Sequence, residues 1–197
     1  MKALLSRANN ILLHPRAEWQ AIRNETTTYP GIMLRYVSIL SVIPPAAAVA
    51  SRYIFGGNVP DSVLSSSPPY LLLSNVLWYG MYLVNVTITG TVIAAIIAAA
   101  ESRWKSVNGM QLAAYSFTPL FVAGFIEVIP HMTWCVYIAI LYGIYILYLG
   151  IRTLLGVRGT RAALYTAASA IAAAVIVGVT NLFEYVFESF ILKKMLF

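Results

Sequence analysis

Five apolar stretches make up most of this chain: Gly31–Tyr53, Tyr70–Ala100, Gln111–Ile129, Met132–Leu155 and Ala162–Phe190. A helix needs about 20 apolar residues to cross a hydrocarbon core of about 30 Å. Lipid offers no partner to a bare peptide group, so each stretch must satisfy its own backbone, and helices follow. The expected fold class is all-α: an integral membrane protein with five transmembrane helices and an N-terminal amphipathic interfacial helix. With 60% hydrophobic and 10% charged residues among 197, the composition stands far from that of soluble domains. Five spans leave room for short loops and an N-terminal segment, and no second, soluble domain is expected.

The net charge of +6 is not a nucleic-acid footprint. The basic residues sit in loops between spans, and no recognition helix or aromatic-basic ribbon accompanies them. Their distribution instead sets orientation. Lys2, Arg7, Arg16 and Arg23 precede the first span, Arg103 and Lys105 follow the second, and Arg152, Arg158 and Arg161 surround the end of the fourth. The alternate loops carry Arg52 with Asp61, and His131 beside Glu127. The positive-inside rule puts the N-terminus in the cytoplasm and, after five crossings, the C-terminus outside, against the pull of Lys193 and Lys194. Ile11–Leu13 is too short for a secretory h-region, so the first span is expected to act as an uncleaved insertion signal.

Residues 2–13 place Leu4, Leu5, Ala8, Ile11 and Leu12 at helical spacing, and Pro15 opens a second helix through Arg23. In that second helix Ala17, Trp19 and Ile22 are expected to face lipid while Arg16, Glu18 and Arg23 stay in water. Residues 1–28 thus form a cytoplasmic amphipathic collar, positioning the bundle or docking a partner, and residues 29–197 a single five-helix domain. Pro44-Pro45 is expected to kink the first span, and Arg35, about one turn inside its cytoplasmic end, to snorkel.

The second span carries a polar and aromatic stripe of Asn75, Tyr79, Tyr82, Asn85 and Thr89, beside a small-residue ridge of Gly90, Ala94 and Ala98. Such residues either bond neighbouring helices or line a path for a ligand or ion. The fourth span sets Trp134, Tyr137, Tyr145, Tyr148 and Arg152 opposite Ala139, Gly143 and Gly150. Tyrosine hydroxyls at that depth require partners, so part of this face is expected against protein or a cavity. The fifth repeats the small-residue theme at Ala170, Ala174 and Gly178, then ends in a polar turn of Asn181, Glu184 and Glu188.

Catalytic motifs are absent from the sequence. His14 and His131 have neither HExxH spacing nor a second nitrogen ligand nearby, and there is no nucleophile elbow, phosphate loop or dinucleotide fingerprint. Cys135 reads as a small buried hydrophobe. No enzyme activity and no cofactor are expected. One constellation gathers charge: Arg52, Glu127, His131, Glu184 and Glu188 all fall near the external face. They either neutralise one another at the helix ends or hold a divalent metal or a proton.

Three short elements resemble the bacterial Yip-family proteins. Asn10–Trp19 (NILLHPRAEW) resembles the family's entry helix, Ala114–Leu120 (AYSFTPL), with Tyr115 and Pro119, its Tyr-to-Pro element, and Tyr145–Ile151 (YILYLGI) the end of its fourth span. Together with five spans, the likeness covers nearly the whole chain. It implies a five-helix domain in a bacterial inner membrane, where the outward C-terminus of the positive-inside reading is periplasmic. Eukaryotic relatives associate with Rab GTPases in vesicle traffic, but the N-terminus here is short and lacks their D-L-Y-G-P segment, so no such role is implied. Within the Tyr115–Pro119 turn, a tyrosine hydroxyl is expected to reach a carbonyl released by the proline.

The chain is accordingly read as a non-enzymatic membrane protein organising lipids or partner proteins, with membrane lipids, a second copy of itself or an unidentified protein as partners. The alternative is a small transporter whose path is lined by Asn75, Asn85 and the aromatic face of span four, with Glu127 and Glu184 at its mouth.

Overall fold

The computed structural model describes residues 2–55, 68–99, 106–129, 132 and 134–196; side chains at 52, 55, 68–71, 106, 127, 188 and 191–196 fall outside the described set. Every regular element among the described residues is helical. Helices α1 (Lys2–Leu13) and α2 (Pro15–Asn24) form a hairpin. The first span follows in pieces: α3 (Tyr29–Ile32), a π-helical turn (Met33–Val37), α4 (Ser38–Leu40) and α5 (Ile43–Phe55). The second is α6 (Pro68–Ala98), and the third is α7 (Ser106–Ser116), α8 (Thr118–Ala123) and a 3-10 turn (Gly124–Val128). The fourth and fifth are α9 (Trp134–Leu155) and α10 (Thr160–Leu196). Five segments are long and apolar enough to cross a membrane.

The two proline-bearing spans break where their chemistry requires. Pro44 and Pro45 have no N–H to donate, so they occupy the first turn of α5, and the helix interrupts at Ser41–Val42 just before them. In the third span Pro119 sits near the start of α8, and the break falls at Phe117. The start of α5 packs on the 3-10 turn of the third span: a Cβ on Gly124 would come within 2.7 Å of Pro44, so glycine lets the two spans close together.

At the centre lies the third span, whose apolar window is 67% buried against 17% for the fifth. It packs on α6 through Gly90, Ala94 and Gly109, where a Cβ on Gly109 would strike the Gly90 carbonyl and come within 2.6 Å of Ala94. Gly143 of α9 closes on the Ser116 carbonyl, and Gly150 on Leu112 and Trp19. These contacts follow the small-residue rule for helices in lipid, where dispersion replaces the hydrophobic effect. Ala98, by contrast, is exposed.

The fifth span packs differently from its sequence ridge. Ala162, Thr166, Ser169 and Thr180 turn inward, whereas Ala174 and Gly178 are exposed and nothing approaches Gly178 within 4 Å. A hydroxyl satisfied within its own helix is as good an inward-facing residue as alanine: Thr166 donates to the Ala162 carbonyl at 2.7 Å.

Candidate functional site

Trp19 and Ile22 of the N-terminal hairpin, expected to face lipid, are buried in protein. Ala8 and Ile11 of α1 and Trp19 and Ile22 of α2 belong to one core cluster with residues of the spans. Two long-range bonds fix its position. The Trp19 indole donates to the Ile146 carbonyl at 3.0 Å, and the Tyr142 hydroxyl donates to the Leu12 carbonyl at 2.5 Å. Tyr142 lies near the middle of α9, and its hydroxyl ties the last turn of α1 to that helix. An amphipathic pattern records only that one face is apolar. Here that face meets a groove between helices rather than lipid, which is why Trp19 and Ile22 are buried in protein.

Burial of the hairpin carries charge inward with it. Glu18, expected in water, is 9% exposed. Arg7 of α1 reaches it at 2.5 Å and also engages Glu25 beyond α2 at 2.5 Å. Burial works to lower the Arg7 pKa, but the hydrogen bond to Glu25 and the negative charge around it outweigh that and hold it above the ordinary arginine value. The guanidinium is therefore permanently charged, as a partner for a buried carboxylate must be.

Above this ion pair is an aromatic hub. Arg7 lies 6.0 Å from the Tyr115 ring centroid. Tyr115 meets Trp19 edge-on at 5.7 Å and Tyr36 at 4.9 Å, in the offset geometry that ring quadrupoles favour. Tyr36 is carried by the π-helical turn and shares a 2.8 Å hydrogen bond with the Thr118 hydroxyl. The Thr118 hydroxyl also lies 3.3 Å from the Ala114 carbonyl. The Tyr115 ring turns instead toward Trp19 and Tyr36, away from the expected bond to a carbonyl released by Pro119, and Thr118 bonds the neighbouring Ala114 carbonyl. A threonine reaches its own preceding turn, whereas the Tyr115 side chain is too long for that and extends to the hairpin. Trp19, Tyr36, Thr118 and the Arg7–Glu18 pair were not apparent in the sequence as one group. The Trp19 and Tyr115 motif elements were visible singly, but nothing local linked them.

The stripe of the second span is divided among neighbours. Asn85 accepts from Thr180 of α10 at 2.8 Å, and Tyr79 donates to the Ser38 carbonyl at 3.2 Å. Tyr82 meets Phe121 edge-on at 5.6 Å, and Asn75 is half-buried beside an apolar surface hollow with Val42 and Tyr79. On the fourth span Tyr137 is 67% exposed. Tyr145 stacks on Tyr142, and Tyr148 lies under Arg152 at 5.5 Å. The contacts of Tyr79, Tyr82 and Asn85 thus run to the first, third and fifth spans respectively. Of the outer polar cluster, the Glu184 side chain is half-buried, while the side chains of Arg52, Glu127 and Glu188, and His131 entire, lie outside the described residues. Among the described residues no group of three or more His, Cys, Asp or Glu could hold a metal.

The arrangement of rings, the two ion pairs of Arg7 and backbone acceptors can clamp helices. The Yip1 domain matches residues 9–180, from the last turn of α1 into the fifth span. Inner membrane protein YohC of Escherichia coli strain K12 is 30% identical over 158 residues, covering 78% of this chain and 81% of the relative. The protein of the same name from Escherichia coli O6:H1 strain CFT073 matches to the same extent. No solved structure matches significantly. Residues 9–180 take in α2, the Tyr115–Pro119 element and the apolar spans as far as Thr180, and the chain belongs to the Yip1-domain family of multi-span membrane proteins.

Proposed function

We propose that this protein is a non-enzymatic inner-membrane scaffold that organises lipids and partner proteins, and that it associates with a second copy of itself through the fifth span. One observation carries the reading. Ala167, Ala170, Ala174, Gly178 and Asn181 follow one another at three- and four-residue steps along a flank of α10, all but Ala170 exposed. Small residues elsewhere in the molecule bring helices together, and an amide facing lipid is unfavourable without a partner helix. A second α10 supplies both the close surface and the hydrogen-bond partner. Single cysteines at Ala174 and Gly178, in a Cys135→Ser background, are expected to form dimer cross-links in native membranes, while one at Val179 does not. Equal cross-linking at all three, or none, removes self-association through this flank.

The basic residues at the hairpin end support an N-terminus in the cytoplasm and a periplasmic C-terminus. A fluorescent protein fused to the N-terminus should fluoresce, and alkaline phosphatase fused after Phe197 should be active. An inactive phosphatase would place the C-terminus inside.

A further inference from the structure

Between α2 and the end of α9 lies a cleft of about 400 Å³ lined by Arg16, Gln20, Arg23, Arg152, Thr153 and Arg158. The fold builds it. Trp19 locks α2 to α9 at the Ile146 carbonyl, which turns the face bearing residues 16, 20 and 23 toward the last turn of α9. Gly156, at φ +71°, donates to the Arg152 carbonyl at 3.0 Å. That left-handed cap reverses the chain and returns Arg158 beside Arg152. The Arg152 guanidinium lies over the Tyr148 ring at 5.5 Å, a contact that restricts its direction.

Four guanidinium groups share this cleft, and among the described residues no carboxylate lines it. The two acids of the hairpin region, Glu18 and Glu25, are both held by Arg7. The last turn of α9 ends here and contributes about half a negative charge. Most of the four positive charges remain unmatched, and like charges in one cleft repel unless an anion joins them. Guanidinium forks match phosphate oxygens in pairs. The cleft also lies at the end of a membrane-spanning helix, at the level where headgroups are found.

We propose that this cleft is a phosphate-anion site, occupied by the headgroup of an anionic phospholipid. It stands on its own residues and does not depend on self-association through α10.

The test uses the full-length protein in a zwitterionic detergent, with its thermal midpoint as readout. Dioctanoyl phosphatidylglycerol should raise the midpoint by several degrees at saturation, and dioctanoyl phosphatidylcholine should not. The response should disappear in R152Q/R158Q, weaken in R152K, which keeps charge but loses the fork, and persist in R161Q, whose arginine lies outside the cleft. If R152Q/R158Q fails to fold, R16Q/R23Q on α2 gives the same reading. A response to inorganic phosphate equal to that of the lipid would support the phosphate chemistry but reject the headgroup as its source. Equal responses to both lipids, or a phosphatidylglycerol response intact in either double variant, would overturn the site.

Discussion

Glu18 shows how a single side chain can decide where a segment folds. A carboxylate that is 9% exposed is sustained only by a permanent countercharge, and Arg7 supplies it. Removing one member of a buried pair leaves the other uncompensated, a loss of about 3–5 kcal/mol in fully enclosed cases. The Arg7 side chain retains 21% exposure, so Arg7→Ala should cost less, about 2–3 kcal/mol. Arg7→Ala/Glu18→Gln should recover part of that, because the buried charge is gone. Denaturant unfolding in detergent measures both, and equal losses in the single and double variants would refute the pairing argument. The pH sign is simple. A raised arginine pKa contributes stability that is fully present below the ordinary arginine value and lost only in strongly alkaline solution. The arginine side of the pair is therefore insensitive to physiological pH.

At the scale of the element, glycine and proline explain most of the bundle's shape. Gly109 has the backbone of α6 against it, with the Gly90 carbonyl and Ala94 occupying the space a Cβ would need. Overpacking a tight contact costs about 1–3 kcal/mol, so Gly109→Val should lower the thermal midpoint clearly, whereas Gly80→Val, with nothing within 4 Å, should not. A midpoint unchanged by Gly109→Val would mean that α6 and α7 do not approach as described. The five spans, their approximate limits and the inward faces of Gly143 and Gly150 were legible because length and small-residue spacing are local properties. The centrality of the third span was not. Lipid tails are as apolar as a protein core, so hydropathy cannot distinguish a helix facing lipid from one enclosed by other helices. The same ambiguity concealed the inward face of α10, where Thr166, Ser169 and Thr180 read as polar in sequence yet pack as small residues.

For the molecule as a whole, the hairpin and the spans share one core cluster. We infer that they fold as one unit rather than as an accessory and a bundle. Deleting residues 2–24 removes Trp19, whose burial alone is worth about 3–5 kcal/mol by analogy with tryptophan truncation, and exposes the Tyr36–Tyr115 pair. The truncated chain should insert in the membrane but run as a polydisperse or aggregated species on size exclusion. A monodisperse, heat-stable truncation would establish an independent five-helix domain. The amphipathic face of residues 2–23 was readable, but its destination was not, because Trp19 and Ile146 are 127 residues apart.

That separation also sets an order of assembly. The hairpin leaves the ribosome before the spans, yet Trp19's acceptor on α9 is made 127 residues later. At translation rates of about 5–20 residues per second, the interval is roughly 6–25 s. Until then Trp19 and Ile22 have no groove to enter, and their apolar face is available to any chaperone or membrane surface nearby. Residues made before every span are thus among the last to find their place, and a nascent chain stalled before the fourth span would keep them waiting.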